Sequence, residues 1–238
     1  LEDAIKGAYG LHILGCNVTV PYKNDVIPYL AQIDELAAKM GSVNTLVRVD
    51  GGYKGYNTDM TGLYRAMSSD GVSIQGEQVI VLGAGGVGRA VAFMCAAKGA
   101  AHVWLLNRTV EKAAEVAKEV NLAEGRSCVE ALAMSDYDKL PDEKYLVIQS
   151  TSVGLYPHVE DAVITDPAFY HKVKAGYDLI YRPWETRFMQ LVKEQGAPAY
   201  NGLKMLLYQG IEAFELWNQC KIEDESAYKL YEMLRTTV

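Results

Sequence analysis

The apolar run Val79–Leu82 passes directly into Gly83-Ala84-Gly85-Gly86-Val87-Gly88, which opens the helix-like stretch Gly86–Lys98. No other segment limits the possible folds as much. A glycine-rich turn alone is usually structural, but one set between a buried strand and a helix has a specific use. The first glycine allows the tight turn, the second lets backbone approach a pyrophosphate, and the third lets helix pack on strand. The helix start adds free N–H groups and partial positive charge. Val87–Ala97 is apolar nearly all round apart from Arg89, which predicts burial against a sheet. Gly83, Ala84, Gly85, Gly86 and Val87 are therefore read as a dinucleotide site.

The rest of the chain alternates β-rich runs with helical patterns, the mark of an α/β protein with a largely parallel sheet. Strands are expected at Ile13–Val20, Ser42–Val49, Gly52–Tyr56, Val79–Leu82, His102–Leu106, Tyr145–Gln149 and Gly176–Ile180. Helices are expected between the first strand and Met40, then at Thr58–Ser69, Gly86–Lys98, Val110–Val120, Trp184–Gln195, Leu203–Gln219 and Glu223–Arg235. Half of the 238 residues are hydrophobic, which suits one or two domains, with the polar stretch Ser68–Gly76 as a boundary.

Composition excludes several classes. The formal charge of −7 comes from interleaved acids and bases, with no nucleic-acid footprint. No stretch of about 18 apolar residues offers a membrane span, and no signal-peptide pattern is seen. Cys16, Cys95, Cys128 and Cys220 form no CxxC pair and read as reduced, buried thiols of a cytoplasmic protein. The scattered histidines lack ligand spacing, so no metal is expected.

The end of the second strand of the glycine-loop unit speaks to cofactor choice. An NAD site wants an acid roughly 20 residues beyond the glycines. This chain instead has Asn107-Arg108-Thr109, with Lys112 a turn later. Arg108 can grip a 2′-phosphate that a carboxylate would repel, which favours NADP. The plainer reading is that Thr109 caps the next helix and Arg108 is merely solvated, but capping by Thr109 is compatible with phosphate binding.

Unusual polar residues gather at other strand ends, where open parallel sheets bind ligands. They are "NVTVPYK" (17–23), "STSVG" (150–154) and "YRP" (181–183). "GSVNTL" (41–46) and "GYNTD" (55–59) add Asn44, Asn57 and Asp59. Turn satisfaction is the commoner fate of an asparagine, and a helix N-cap or first-turn place is common for an acid such as Asp59. Gln209 borders a stripe of Leu203, Leu206, Gly210, Phe214 and Trp217, expected to be core, and so needs a partner. Taken alone, Lys23 reads as a solvated lysine after a proline-ended strand.

Together with "VLGAGG", "NRT", "DLIYRPWET" and "NGLKMLLYQGIEAFELW", these phrases resemble the shikimate dehydrogenase family, in order, from Cys16 to Trp217. The resemblance implies two α/β domains, a Rossmann-like NADP-binding domain and a smaller substrate domain. The expected boundaries are 1–59 for substrate, 60–202 for dinucleotide, and 203–238 for helices returning to the substrate domain. It further implies reversible NADP-linked reduction of 3-dehydroshikimate to shikimate, in a monomer or homodimer that binds neither nucleic acid nor membrane. Lys23 would be the catalytic lysine and Asp59 its partner. Thr19, Asn44, Asp59, Tyr181 and Gln209 match substrate contacts, and Thr151, Gly202 and Met205 lie near the nicotinamide on the family pattern. A quinate/shikimate dehydrogenase using NAD and a non-catalytic module of the same fold are the alternatives. The family's opening strand and helix, with a serine-bearing carboxylate motif, find no match, so the chain is expected to start inside the substrate domain. Met60 and Gln149 stand where the family often has glycine and asparagine.

Overall fold

The computed structural model describes residues 1–237. It divides into two compact units: Leu1–Ala66 together with the chain from Lys204 onward, and Met67–Leu203.

The first unit opens with α1 (Glu2–Gly10), a helix absent from the sequence expectations. Strands β1 (Gly15–Asn17), β2 (Gln32–Ile33), β3 (Thr45–Val49) and β4 (Gly52–Tyr56) form a sheet in the order β1-β3-β4-β2. This sheet is mixed, and its β3–β4 hairpin follows the expected strands Ser42–Val49 and Gly52–Tyr56. The β3–β4 pair is an antiparallel hairpin whose turn uses Gly51 at φ 81°, and β1 also runs antiparallel to β3. The expected strand Ile13–Val20 shortens to three residues. Leu14 and Val20 are exposed, and from Thr19 the chain turns, with Tyr22 N–H donating to Thr19 O at 2.9 Å. Of the helix expected before Met40, a 3-10 turn at Ile27–Tyr29 and α2 (Glu35–Met40) form. Asp34 caps α2 by accepting from Leu36 and Ala37 N–H, and Gly41 at φ 58° ends it. Ile5, Val26, Ala37, Val43, Leu46 and Tyr53 make the core. Helix α3 (Thr58–Ser69) follows.

The second unit is a six-stranded sheet, parallel throughout. In chain order it contains β5 (Gln78–Leu82), α4 (Gly86–Ala97), β6 (His102–Asn107), α5 (Val110–Glu124), β7 (Val129–Ala133) and β8 (Tyr145–Gln149). Then come α6 (Pro167–Tyr170), β9 (Val173–Asp178), α7 (Arg187–Glu194) and β10 (Ala199–Tyr200). Strand order β10-β9-β8-β5-β6-β7 starts the chain mid-sheet, builds outward to β7, and returns on the other side of β5. The topological switch point therefore lies at the carboxyl ends of β5 and β8. As expected, α4 is buried from Ala90 to Ala96.

Several edges differ from the sequence reading. β7 is not among the expected strands because "VEALA" has little β signal. It is held by Asn121 of α5, which accepts from Cys128 and Val129 N–H and donates to Val129 O. The two-residue β10 is likewise unexpected. α5 runs past Val120 to Gly125 at φ 64°. The strand expected at Gly176–Ile180 is β9, which ends at Asp178. α7 begins after Thr186, whose hydroxyl caps Met189 N–H at 3.3 Å, instead of at Trp184.

Helices α8 (Leu203–Asn218) and α9 (Asp224–Arg235) close the chain. The core face of α8 follows the expected stripe only in part: Leu203 is buried, but Phe214 is 48% exposed, while Tyr208, Ile211, Ala213 and Glu215 are buried. Glu215 can occupy that face because Arg65, Lys221 and the Ile222 N–H satisfy its carboxylate. Cys95 and Cys128 are buried and Cys16 is partly so, with burial raising each thiol, but Cys220 is exposed. Among the described residues no helix is long and apolar enough to cross a membrane.

Candidate active site and dinucleotide cradle

In the first unit, Lys23 follows the turn that ends the β1 segment, and its carbonyl accepts from Val43 N–H at 2.8 Å. Its Nζ donates to Asp59 Oδ2 at 2.6 Å, with the side chains 26% and 22% exposed. Asp59 lies in the first turn of α3, where the helix favours a negative charge. It does not cap that helix. Asn57 does so, accepting from Met60 N–H at 3.2 Å and donating to Ser42 O at 3.0 Å. The capping role considered for Asp59 thus falls to its neighbour, and its carboxylate is left to Lys23.

Asn44 is 3% exposed and ties β3 to α3. Its Oδ1 accepts from Thr58 N–H at 2.8 Å, from Thr45 Oγ1 at 3.0 Å and from Thr58 Oγ1 at 3.2 Å. None of these bonds uses its Nδ2. Thr45 and Thr58, which sequence reasoning did not single out, share a hydroxyl contact of 2.9 Å. Gln209 sits on α8 where that helix crosses α3: a Cβ on Gly62 would lie 2.5 Å from Gln209 N. Its Nε2 finds a local partner in Leu206 O at 3.2 Å. Met205 is half-buried one turn earlier, and Thr19 is exposed with its carbonyl spent on the turn. Lys23 is thus bonded to Asp59, Asn44 is bonded to Thr58, the residue before Asp59, and Gln209 packs on the same helix at Gly62.

In the second unit, each glycine has a separate task. Gly83 adopts φ 103°, and a Cβ there would stand 2.7 Å from Thr151 Cγ2. A Cβ on Gly88 would stand 2.0 Å from Gly83 O, so only glycine lets α4 pack so closely. Gly85 and Gly86 have nothing within 4 Å of a built Cβ, leaving open space at the start of α4. Ala84 N–H donates to Asn107 Oδ1 at 3.1 Å, and Asn107 Nδ2 donates to Thr109 O at 2.8 Å. Asn107 therefore pins the glycine turn to the end of β6. Thr109 occupies the cap position of α5 without a side-chain cap bond. Arg108 and Lys112 are exposed. Arg89 is committed elsewhere, donating to Glu119 at 2.8 Å.

Beside the turn lies a cavity of about 1040 Å³, bordered by Val87, Ser150, Thr151, Ile180, Tyr181 and Arg182. Ser150 Oγ donates to Leu82 O at 2.8 Å and contacts Gly83 O at 3.3 Å. Thr151 Oγ1 accepts from Val153 N–H at 3.1 Å. Gly202 approaches so closely that a Cβ would meet Leu179 O at 2.2 Å. An open helix start, unhindered glycines and exposed cations past β6 fit a dinucleotide carrying a ribose phosphate.

A parallel sheet with this turn at its switch point places the chain among α/β proteins of the dinucleotide-binding class. Residues 1–46 match the shikimate dehydrogenase substrate binding domain, 66–164 the shikimate / quinate 5-dehydrogenase family, and 202–228 the shikimate 5′-dehydrogenase C-terminal domain. Shikimate dehydrogenase (NADP(+)) from Moorella thermoacetica is 40% identical over 219 residues, covering 91% of this chain and 74% of the relative. The chain belongs to the shikimate dehydrogenase family. Among solved structures, shikimate 5-dehydrogenase from Thermus thermophilus in complex with NADP(H) and shikimate has a TM-score of 0.80 at 30% identity, covering 98% of this chain and 84% of that one. Quinate dehydrogenase from Corynebacterium glutamicum in complex with NAD has a TM-score of 0.88 at 26% identity, covering 100% and 83%.

Proposed function

We propose that this chain is a cytoplasmic NADP-dependent shikimate dehydrogenase, interconverting 3-dehydroshikimate and shikimate in chorismate and aromatic amino-acid biosynthesis. The observation that carries the reading is the Lys23–Asp59 pair at 2.6 Å, with Asp59 relieved of helix capping by Asn57. NADP, when bound, supplies or accepts the hydride at the carbon bearing the hydroxyl. The hydroxyl proton must move as well, and that is the task of Lys23. In ketone reduction Lys23 gives a proton to the carbonyl oxygen, and in alcohol oxidation it takes that proton back.

Asp59 holds the Lys23 amine in place and accepts from a substrate hydroxyl. Asn44 offers its unused Nδ2, and Thr19, Gln209 and Tyr181 add neutral hydrogen-bonding groups suited to a polyhydroxylated ring. Gly83, Ala84, Gly85, Gly86 and Val87 would hold the pyrophosphate. Asn107, Arg108, Thr109 and Lys112 would hold the ribose phosphate, and Thr151, Gly202 and Met205 the nicotinamide end. We take the protein to act as a monomer or a homodimer. The test is initial-rate NADP reduction with shikimate, compared with NAD and with quinate. A faster rate with NAD and quinate would favour the second reading, to which the likeness to a quinate dehydrogenase bound to NAD lends weight.

A further inference from the structure

Asp178 has no part in the site as described, yet its setting is costly. It ends β9 fully buried, and its hydrogen-bond donors are all neutral. Oδ1 accepts from Ile180 N–H at 2.9 Å and from Gln149 Nε2 at 3.4 Å, and Oδ2 accepts from the Thr186 hydroxyl at 2.6 Å. Burial pushes its pKa up to about 6. An apolar side chain would fill the space without burying a charge, so the hydrogen bonds must serve some further end.

Those bonds lead to both loops that border the cavity. Gln149, also fully buried, accepts from Thr151 N–H at 2.5 Å and donates to Val153 O at 3.1 Å, fixing the loop after β8. Ser150, in that loop, reaches back to Leu82 O and Gly83 O of the glycine turn. On the other side, Ile180 and Thr186 bracket the loop after β9, which carries Tyr181 and Arg182. We infer that Asp178 is a positioning residue: through Gln149 and Thr186 it locks the two cavity loops into one arrangement against the glycine turn. The inference rests on the dinucleotide reading, since it assigns the cavity to the reacting end of the cofactor.

Three single variants, one double variant and three readouts test it. Asp178→Leu removes every acceptor at nearly constant shape, whereas Asp178→Asn keeps Oδ1 for Ile180 and can donate to Thr186 Oγ1. Asp178→Leu should lower kcat by about 10-fold or more, while NADP affinity, set at the glycine turn and Arg108, changes less than about 3-fold. Asp178→Asn should restore kcat. Gln149→Met should match Asp178→Leu, and the double variant should be no worse than either single one. By hydrogen exchange, the Thr151 and Ile180 amides should lose protection together in Asp178→Leu. Unchanged kcat in folded Asp178→Leu, additive losses in the double variant, or protection lost at Ile180 alone would overturn the inference. If Asp178→Leu does not fold, kcat and Thr151 exchange in Gln149→Met decide it. Absence of turnover in the wild-type protein would instead sink the proposed function, and the exchange result would still decide the positioning role.

Discussion

The glycine turn of the second unit and the Lys23–Asp59 pair of the first are built by opposite means. The turn is backbone shaped by missing side chains: Gly83 at φ 103°, Gly88 against Gly83 O, and open space at Gly85. Its binding groups are N–H dipoles already aligned by α4, so they need little further organisation. The Lys23–Asp59 pair is side-chain chemistry, and its parts come from separate segments. A turn after β1 brings Lys23, the start of α3 brings Asp59, and Asn44, just before β3, fastens that start through Thr58. One site fails when an atom is added, the other when a functional group is removed.

That contrast can be broken at both ends. The largest effect should come from Lys23→Ala, with kcat for shikimate oxidation falling by about 10²–10⁴-fold. NADP affinity, measured by calorimetry, should hold. Arg108→Ala should do the reverse, weakening NADP by about 10–100-fold, the value of a charge-assisted contact, while leaving NAD and kcat nearly unchanged. A parallel loss for NAD would show that Arg108 does not read the phosphate.

Smaller effects sharpen the picture. Asp178 has its folded pKa raised from 3.8 to about 6 by burial, so it adds stability below 3.8 that is lost as pH rises through about 6. Asp178→Asn, free of that charge, should be more stable than wild type by ~1–3 kcal/mol at about pH 7, a gain fading as the solution is acidified. Thermal melts across that window check the sign, and a destabilised Asp178→Asn at neutral pH would contradict it. Smallest of all, Thr109→Ala should cost less than about 0.5 kcal/mol, because its hydroxyl makes no cap bond, against about 1 kcal/mol for Asp34→Ala, whose carboxylate does. A drop in NADP affinity in Thr109→Ala would then report on the cofactor and not on the fold.

The same contrast explains what could be read in advance. The glycine turn is legible because a backbone site is written in contiguous residues with one conformational demand each. The Lys23 site is legible only as a set of phrases resembling a family, since nothing local in "NVTVPYK" separates a working lysine from a solvated one. The α8 stripe misleads because it ranks residues by apolarity, whereas the buried face carries Glu215, satisfied by Arg65 and Lys221 from other segments. β7 is invisible because "VEALA" has little β signal of its own and gains its strand form by pairing with β6, with Asn121 holding its start. The weight of Gln149 and Asp178 is likewise hidden, because their bonds join the ends of different strands.

The most direct measurement is the initial rate of NADPH formation when the wild-type protein is mixed with shikimate and NADP, with binding of each measured alongside. The account predicts steady turnover that requires both compounds and nearly vanishes in Lys23→Ala. Binding of both without turnover in the wild-type protein, or turnover that Lys23→Ala leaves intact, would contradict it.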